Sequence, residues 1–272
     1  MKNKNTLSSI WTIFLFFFCC LHLPVAAEEF GDLIDYQNWT VNMGYPQGLI
    51  VPLGFDGINQ DYFHSLPGSA AYSSGIIVIG DSRCFQLGIY QNYIGASDYA
   101  VFAVWGGHYV PGTGTSIISE MFLSDFEQCF HEQIRTRGDC IVYFFATVND
   151  FDYAWNYNSG YISAAVSAAE KVASLSYVYE GTEYHPQVIV IGLEGGRTSG
   201  DIFGIPSEVF NRYVDSYNRE LRDAITRSPV LKDTADLFTS VSEITGGNTT
   251  FLSDGLHYSE TTLKKITAFI SE

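Results

Sequence analysis

Four short polar segments of the chain carry residue types that can perform ester chemistry together. They are Asp81-Ser82, Gly106-Gly107, Asn149-Asp150 and Asp254-Gly255-Leu256-His257. Hydrolysis of an ester through a serine needs a base that takes the hydroxyl proton, a carboxylate that orients this base, and donors for the oxyanion. Because the segments contain all of these groups, they predict a serine nucleophile with a histidine base.

The spacing assigns a role to each group. Asp254 and His257 are three residues apart, so the carboxylate can hold the imidazole with one ring nitrogen directed toward Ser82. A glycine suits the oxyanion site because a side chain would obstruct close approach of the backbone. The predicted oxyanion donors are the N–H of Ser82, the N–H of Gly106 or Gly107, and the amide of Asn149.

Each segment also has an ordinary structural interpretation. Ser82 could be only the N-cap of the helix that follows it. Asn149-Asp150 and Asp254-Gly255 could be turns, and His257 could be a surface residue. The catalytic interpretation is favoured because all the segments are expected at one rim of a single sheet, where their roles complement one another.

The elements that must position these residues are visible as an alternation of β-branched runs and helical patterns. The sequence predicts strands over 76–80, 99–105, 140–146 and 187–193, and helices over 84–94, 116–136, 161–178 and 206–227, with a last helix after Ser259. This alternation predicts an α/β fold, a three-layer α/β/α sandwich with a mainly parallel, flavodoxin-like sheet. Ligands of such sheets bind beyond the carboxyl ends of the strands, where the polar segments fall.

The N-terminal residues have the features of a secretory leader. Lys2 and Lys4 precede an apolar block that is shorter than the roughly 20 residues of a membrane helix. We predict a signal peptide over 1–27 and a secreted or extracellular protein without a stable membrane span after cleavage; the alternative is an uncleaved leader that retains it at the cell surface. Residues 28–70 are predicted as an N-terminal extension of loops or a short hairpin, and residues 71–272 as one domain.

Composition argues against several classes of partner and cofactor. The chain has 30 Asp and Glu against 14 Lys and Arg, and a net charge of −16, which repels the phosphates of nucleic acid. The turn at Ser82 lacks a glycine-rich phosphate loop, which argues against a nucleotide or FMN site. The Gly-x-Ser-x-Gly elbow of the α/β-hydrolases is also missing from the sequence. We therefore expect no cofactor.

Three cysteines follow the predicted leader: Cys84, Cys129 and Cys140. One disulfide can form, with Cys129 and Cys140 as the best pair, but buried thiols are the favoured interpretation. The run of Cys129, His131 and Cys140 fits no zinc spacing and lacks a fourth ligand, so no metal site is predicted.

The order of the polar segments resembles the SGNH (GDSL-type) hydrolase family. The blocks of that family are Gly-Asp-Ser, a glycine, Gly-x-Asn-Asp and Asp-x-x-His; this chain has GDSR, WGG, TVND and DGLH across residues 80 to 257, and its GDSR and DGLHYS forms resemble a secreted bacterial subgroup. The resemblance implies Ser82 as nucleophile, His257 as base and Asp254 as its orienter, with the oxyanion donors given above. Thr147 departs from the family glycine, and Arg83 replaces the usual apolar residue.

The loops around the predicted site are rich in side chains that can stack on sugar rings or bind polar groups. The candidate substrate-binding residues are Arg83, Trp105, His108, Tyr109 and Trp155. Rim packing is an equally good interpretation of these aromatics. A secreted serine hydrolase with no evident apolar acyl channel suggests removal of acetyl groups from an O-acylated glycan. The alternatives are a non-catalytic carbohydrate-binding or cell-surface protein on the same fold, and an O-acyltransferase.

Overall fold

The computed structural model describes residues 62–65, 67–112, 114–123, 125–151, 159–196, 201–202, 205–252 and 255–272. The predicted signal peptide, most of the predicted extension, and the predicted site residues Trp155 and Asp254 lie outside these ranges.

A six-stranded sheet forms the centre of the described fold. Its strands in chain order are β1 (Tyr62–His64), β2 (Ile76–Gly80), β3 (Ala100–Val104), β4 (Ile141–Phe145), β7 (Gln187–Gly192) and β10 (Thr239–Ser240). Their spatial order is β1-β3-β2-β4-β7-β10, and only β1, at the edge, runs antiparallel to its neighbour. The parallel strands have the flavodoxin order, in which the chain reverses its direction of travel at the first strand, here β2.

Among the described residues, helices and two small hairpins connect these strands. The helices are α1 (Ser82–Ile94), α2 (Ile117–Leu123), α3 (Phe126–Arg137), α4 (Ser159–Ala173), α5 (Ser207–Arg227), α6 (Val241–Thr245) and α7 (Glu260–Ser271), with 3-10 turns at Ala70–Ser73, Asn149–Phe151 and Lys232–Leu237. The hairpins pair β5 (Tyr177–Tyr179) with β6 (Thr182–Tyr184), and β8 (Asp201–Ile202) with β9 (Ile205–Pro206). Within the described residues, no helix is both long and apolar enough to cross a membrane.

The strands bury apolar side chains on both faces, which is typical of a parallel sheet between helices. Along β2, Ile77 and Ile79 join the core under α2 to α5, whereas Val78 joins the core under α1, α6 and α7. The predicted three-layer α/β/α fold with a mainly parallel, flavodoxin-like sheet is therefore confirmed for the described residues.

Two of the predicted helices differ in the structure: one is split into two helices, and the other is shorter at its C-terminal end. The predicted helix 116–136 is two helices, α2 and α3, separated at Asp125, whose φ is 25°. Because both helices face the same core, their apolar periodicity continues across the break. The helix predicted over 161–178 ends at Ala173, since the next residues form the hairpin of β5 and β6. Its two-residue turn, Glu180-Gly181, has positive φ at both positions, as tight hairpins require.

The three cysteines after the predicted leader and the strand β1 bear on two further predictions. Cys84, Cys129 and Cys140 are buried free thiols, so a disulfide between Cys129 and Cys140 is not formed. β1 falls within the stretch predicted as an N-terminal extension and adds an antiparallel edge strand to the sheet. The rest of that stretch up to residue 61 lies outside the described residues.

Candidate active site

Ser82 lies at the junction between the central strand β2 and helix α1. Asp81 caps this helix: its Oδ1 accepts the Arg83 N–H at 3.0 Å, and its carbonyl accepts the N–H of Cys84 and Phe85, both at 3.0 Å. Asp81 rather than Ser82 is thus the N-cap, which leaves the Ser82 hydroxyl for another role. Gly80 is required here because a Cβ would overlap Cys84 Sγ and lie 3.1 Å from Phe145 Cβ.

His257 meets Ser82 at this junction. Its Nε2 lies 2.9 Å from Ser82 Oγ, although 175 residues separate the two in sequence. Ser82 is 4% exposed and His257 is 5% exposed, so the pair is shielded from bulk water. A base within this distance of a hydroxyl is the arrangement that serine nucleophiles need. Asp254 lies outside the described residues, and its orienting role stays a prediction.

Trp105 packs on the imidazole of His257. The two rings are nearly parallel, at 11°, with their centroids 5.3 Å apart. Phe85 makes an edge-to-face contact with Trp105, and the two ring centroids are 5.4 Å apart. Trp105 therefore contacts the proposed base, whereas its predicted contact with substrate stays a prediction.

The two glycines after β3 differ in what their N–H groups do. Gly107 donates its N–H to Val104 O at 3.1 Å, and a Cβ there would lie 2.5 Å from Ile117 Cγ1. Gly106 has a φ of 62° and open space where a Cβ would be. Close packing explains the glycine at 107. Gly106 is the better candidate for an oxyanion donor, because its neighbour's amide is already used.

Asn149 lies after β4, on the other side of the central strand from the glycines. Its side-chain amide donates to Gly107 O at 3.2 Å, and a weaker contact of 3.5 Å reaches Asp81 Oδ2. One amide proton therefore anchors the side chain to the glycine loop. The structure thus brings Asn149 to the same loops as the nucleophile, and its role as oxyanion donor stays a prediction.

Thr147, where the family pattern has glycine, connects the loops after β2 and β4. Its Oγ1 lies 2.9 Å from both Asp81 Oδ2 and Gly107 O, and it accepts the Asn149 N–H at 3.1 Å. Asp81 Oδ2 also accepts the Val148 N–H at 3.1 Å. The threonine hydroxyl therefore supplies bonds that support Asn149, so its presence is compatible with an assembled site.

Arg83 lies inside the protein rather than at its surface. Its guanidinium donates to three carbonyl oxygens: Leu256 at 3.1 Å, Glu194 at 2.8 Å and Gly195 at 2.8 Å. The residue is only 3% exposed. These contacts give no support to the prediction that Arg83 binds substrate; they connect α1 to the loop after β7 and to the loop that carries His257.

His108 and Tyr109 are buried as well. His108 Nδ1 lies 3.3 Å from Asp150 Oδ1, and the Tyr109 hydroxyl donates to Phe145 O at 2.8 Å. Asp150 Oδ1 also accepts the N–H groups of Tyr109 and Val110, both at 3.3 Å. Burial raises the pKa of Asp150, and the contact with His108 opposes this shift. These side chains hold the loop after β3, as the packing interpretation of the aromatics predicts; Trp155 lies outside the described residues.

Sequence reasoning missed Gln86 and Tyr258, which hold the loop that carries His257. Gln86, 1% exposed, bonds the backbone of Tyr258, and the Tyr258 ring lies under the Arg83 guanidinium. Gln86 stands between the apolar residues Phe85 and Leu87 in the sequence of α1, which is the signal that could have identified it. Within the described residues, no group of three or more His, Cys, Asp or Glu side chains could hold a metal ion.

Comparisons with known proteins yield structural similarity without sequence similarity. No family model and no curated protein sequence matches the chain. Est24, a carbohydrate acetylesterase from Sinorhizobium meliloti, is similar at 13% identity and a TM-score of 0.47, over 72% of this chain and 95% of that chain. The native M. smegmatis aryl esterase is similar at 14% identity and a TM-score of 0.48, over the same shares. A carbohydrate acetylesterase family member from Sinorhizobium meliloti has 14% identity and a TM-score of 0.47, over 72% of this chain and 94% of that chain.

Proposed function

We propose that the protein is a serine esterase of the SGNH type. The observation that carries this proposal is the 2.9 Å contact between His257 Nε2 and Ser82 Oγ at the carboxyl end of the central strand. Ser82 Oγ attacks the ester carbonyl carbon while its proton passes to His257, and the alcohol then leaves with that proton. Water, deprotonated by the same imidazole, releases the acid from acyl-Ser82.

The negative charge that develops on the carbonyl oxygen needs donors near Ser82. The N–H of Ser82 is the first amide of α1 and lies at the positive end of the helix dipole, which favours an anion. The Gly106 N–H and the Asn149 amide are proposed to complete this oxyanion site. Donors fixed by the fold stabilise the transition state without reorganisation, which is usually a large contribution to catalysis.

The proposed substrate is a short acyl ester, an acetyl group on a carbohydrate. The low exposure of Ser82 and His257 supports a small acyl group over a long chain. The predicted stacking role of Trp105 and Trp155 supports a sugar as the alcohol. The proposed setting is outside the cell, based on the predicted leader over 1–27.

Esterase activity is tested with p-nitrophenyl acetate and p-nitrophenyl butyrate. We expect Ser82→Ala to lose nearly all turnover, and Ser119→Ala, which removes an exposed hydroxyl on α2, to keep it. Unchanged hydrolysis by folded Ser82→Ala would remove Ser82 from the role of nucleophile. A wild-type protein that binds glycan without any turnover would support the non-catalytic alternative.

The carbohydrate substrate is tested by acetate release from O-acetylated xylan and O-acetylated chitin oligosaccharides. We expect release that depends on Ser82. Hydrolysis of longer acyl esters without release of acetate from either polysaccharide would contradict the glycan proposal. Acetyl transfer to added sugar acceptors, found by product analysis, would instead support the acyltransferase.

A further inference from the structure

Helix α1 holds the residues on both sides of His257. Arg83 Nε donates to the carbonyl of Leu256, the residue before the histidine, at 3.1 Å. Gln86 forms two bonds with Tyr258, the residue after it: Nε2 donates to Tyr258 O at 3.3 Å, and Oε1 accepts the Tyr258 N–H at 3.0 Å. The backbone on each side of His257 is therefore fixed to the first turns of the helix that carries Ser82.

The remaining contacts of Arg83 strengthen this attachment. Its two terminal nitrogens each donate at 2.8 Å to carbonyls that follow β7, those of Glu194 and Gly195. Its Cζ lies 4.9 Å from the centre of the Tyr258 ring, within the range of a cation–π contact. A planar guanidinium with several donors in a fixed geometry can connect α1, the loop after β7 and the loop that carries His257. A lysine has no such planar set of donors and cannot do this equally well.

We propose that Arg83 and Gln86 are positioning residues for the base of the reaction. We call them, with their bonds to Leu256 and Tyr258, the His257 clamp. The inference rests on the proposed function. Ser82 and both clamp residues belong to one rigid helix, so the clamp fixes the imidazole relative to the nucleophile. Proton transfer depends steeply on this geometry, because a misplacement of about 1 Å can cost about a hundredfold in rate.

The test compares Arg83→Met and Gln86→Leu with the wild-type protein on p-nitrophenyl acetate. We expect kcat per active site to fall by about ten- to a hundredfold, with KM changed by less than about twofold, because the clamp acts on the base and not on substrate binding. Active sites are counted by the burst of p-nitrophenol. A purely structural role would lower the number of active sites and leave kcat per site unchanged.

Two further variants make the test specific. Arg83→Lys is expected to restore part of the lost kcat, because its ammonium keeps the charge and can reach some of the carbonyls. Arg222→Met is the matched control, since Arg222 also donates to a backbone carbonyl, Phe238 O at 3.3 Å, and lies 4.7 Å from the centre of the Phe238 ring, on α5, which carries none of the predicted site residues. It is expected to keep wild-type kcat per site.

The outcomes separate the clamp from the esterase proposal. If Ser82→Ala is inactive while Arg83→Met and Gln86→Leu keep wild-type kcat per site, the clamp is overturned and the esterase stands. An equal loss in Arg222→Met also overturns it, because the effect would then be general. If Arg83→Met does not fold, Gln86→Leu and Arg83→Lys decide the question. If Ser82→Ala remains active, the esterase proposal itself fails.

Discussion

At the scale of single residues, the chemistry depends on what surrounds one imidazole. Nε2 of His257 faces Ser82 Oγ at 2.9 Å, and the indole of Trp105 covers a face of the ring. Trp105 contributes to the burial of His257, which is 5% exposed. Packing against Trp105 also limits rotation of the ring, which keeps Nε2 directed toward the hydroxyl.

The Asn149 amide gives the first prediction at this scale. Asn149→Ala should lower kcat by on the order of a hundred- to a thousandfold, because one donor to the oxyanion is lost, which raises the barrier by about 3 to 4 kcal/mol. The measurement is steady-state hydrolysis of p-nitrophenyl acetate. A loss below about tenfold would remove Asn149 from the oxyanion site.

At the scale of elements, the site depends on bonds between loops that follow neighbouring strands. Asp81 at the end of β2 caps α1 with one carboxylate oxygen and accepts bonds from Thr147 and Val148, after β4, with the other. Since both loops lie at the carboxyl edge where the sheet order reverses, a single buried carboxylate can hold them together. The loop that carries Asn149 is thereby fixed to the loop that carries Ser82.

The Thr147 hydroxyl is the element-scale prediction. Thr147→Val keeps the shape but removes the hydroxyl proton that Asp81 Oδ2 and Gly107 O share and the acceptor for the Asn149 N–H, so the free energy of unfolding should fall by about 1–3 kcal/mol. Thr147→Ser, which keeps the hydroxyl, should lose clearly less. Urea denaturation measures both. A valine variant as stable as the wild-type protein would show that these bonds contribute nothing net.

Sequence patterns could predict the elements that are dictated by local periodicity. The apolar runs of β2, β3, β4 and β7 and the polar residues that follow them were predictable, because buried parallel strands and their crevice leave a local signature. The break between α2 and α3 was not predictable, because both helices pack on the same core and their apolar periodicity continues across the break. The function of Arg83 was not predictable either, because its partner Leu256 is 173 residues away and is brought to it only by the tertiary fold.

At the scale of the whole molecule, the core explains how Ser82 and His257, which are far apart in the sequence, meet. Phe85 and Leu87 of α1 share a core with Leu263 and Ile266 of α7, the helix that follows His257. Docking of α7 on the same face of the sheet as α1 therefore delivers the histidine to the serine. Burial of apolar side chains supplies most of the stability of such an arrangement.

Partial burial of the Glu194 carboxyl makes the stability of the protein depend on pH. Desolvation raises the pKa of this carboxyl above its ordinary value of 4.5, and the charge of Arg83 opposes the shift. Between the ordinary and the raised pKa, the native state holds a proton that the unfolded state has lost. The contribution to stability is therefore fully present below the ordinary value and is lost as pH rises through the folded-state pKa.

Glu194→Gln should remove this dependence. The free energy of unfolding of this variant minus that of the wild-type protein should increase as pH rises from about 4.5 to 7.5. Urea denaturation across this range is the measurement, with Asp223→Asn, an exposed carboxylate on α5, as the control for loss of one charge. A difference that is constant, or that changes in the opposite direction, would contradict the raised pKa.

The most direct test of the central claim is to find the acyl group on the protein during turnover. The wild-type chain is quenched in acid while it hydrolyses p-nitrophenyl acetate, and its peptides are mapped by mass spectrometry. The account predicts an added acetyl group on a peptide that contains Ser82, which is absent from the Ser82→Ala variant. Continued hydrolysis with the Ser82 peptide unmodified, and the acetyl group on another residue, would contradict it.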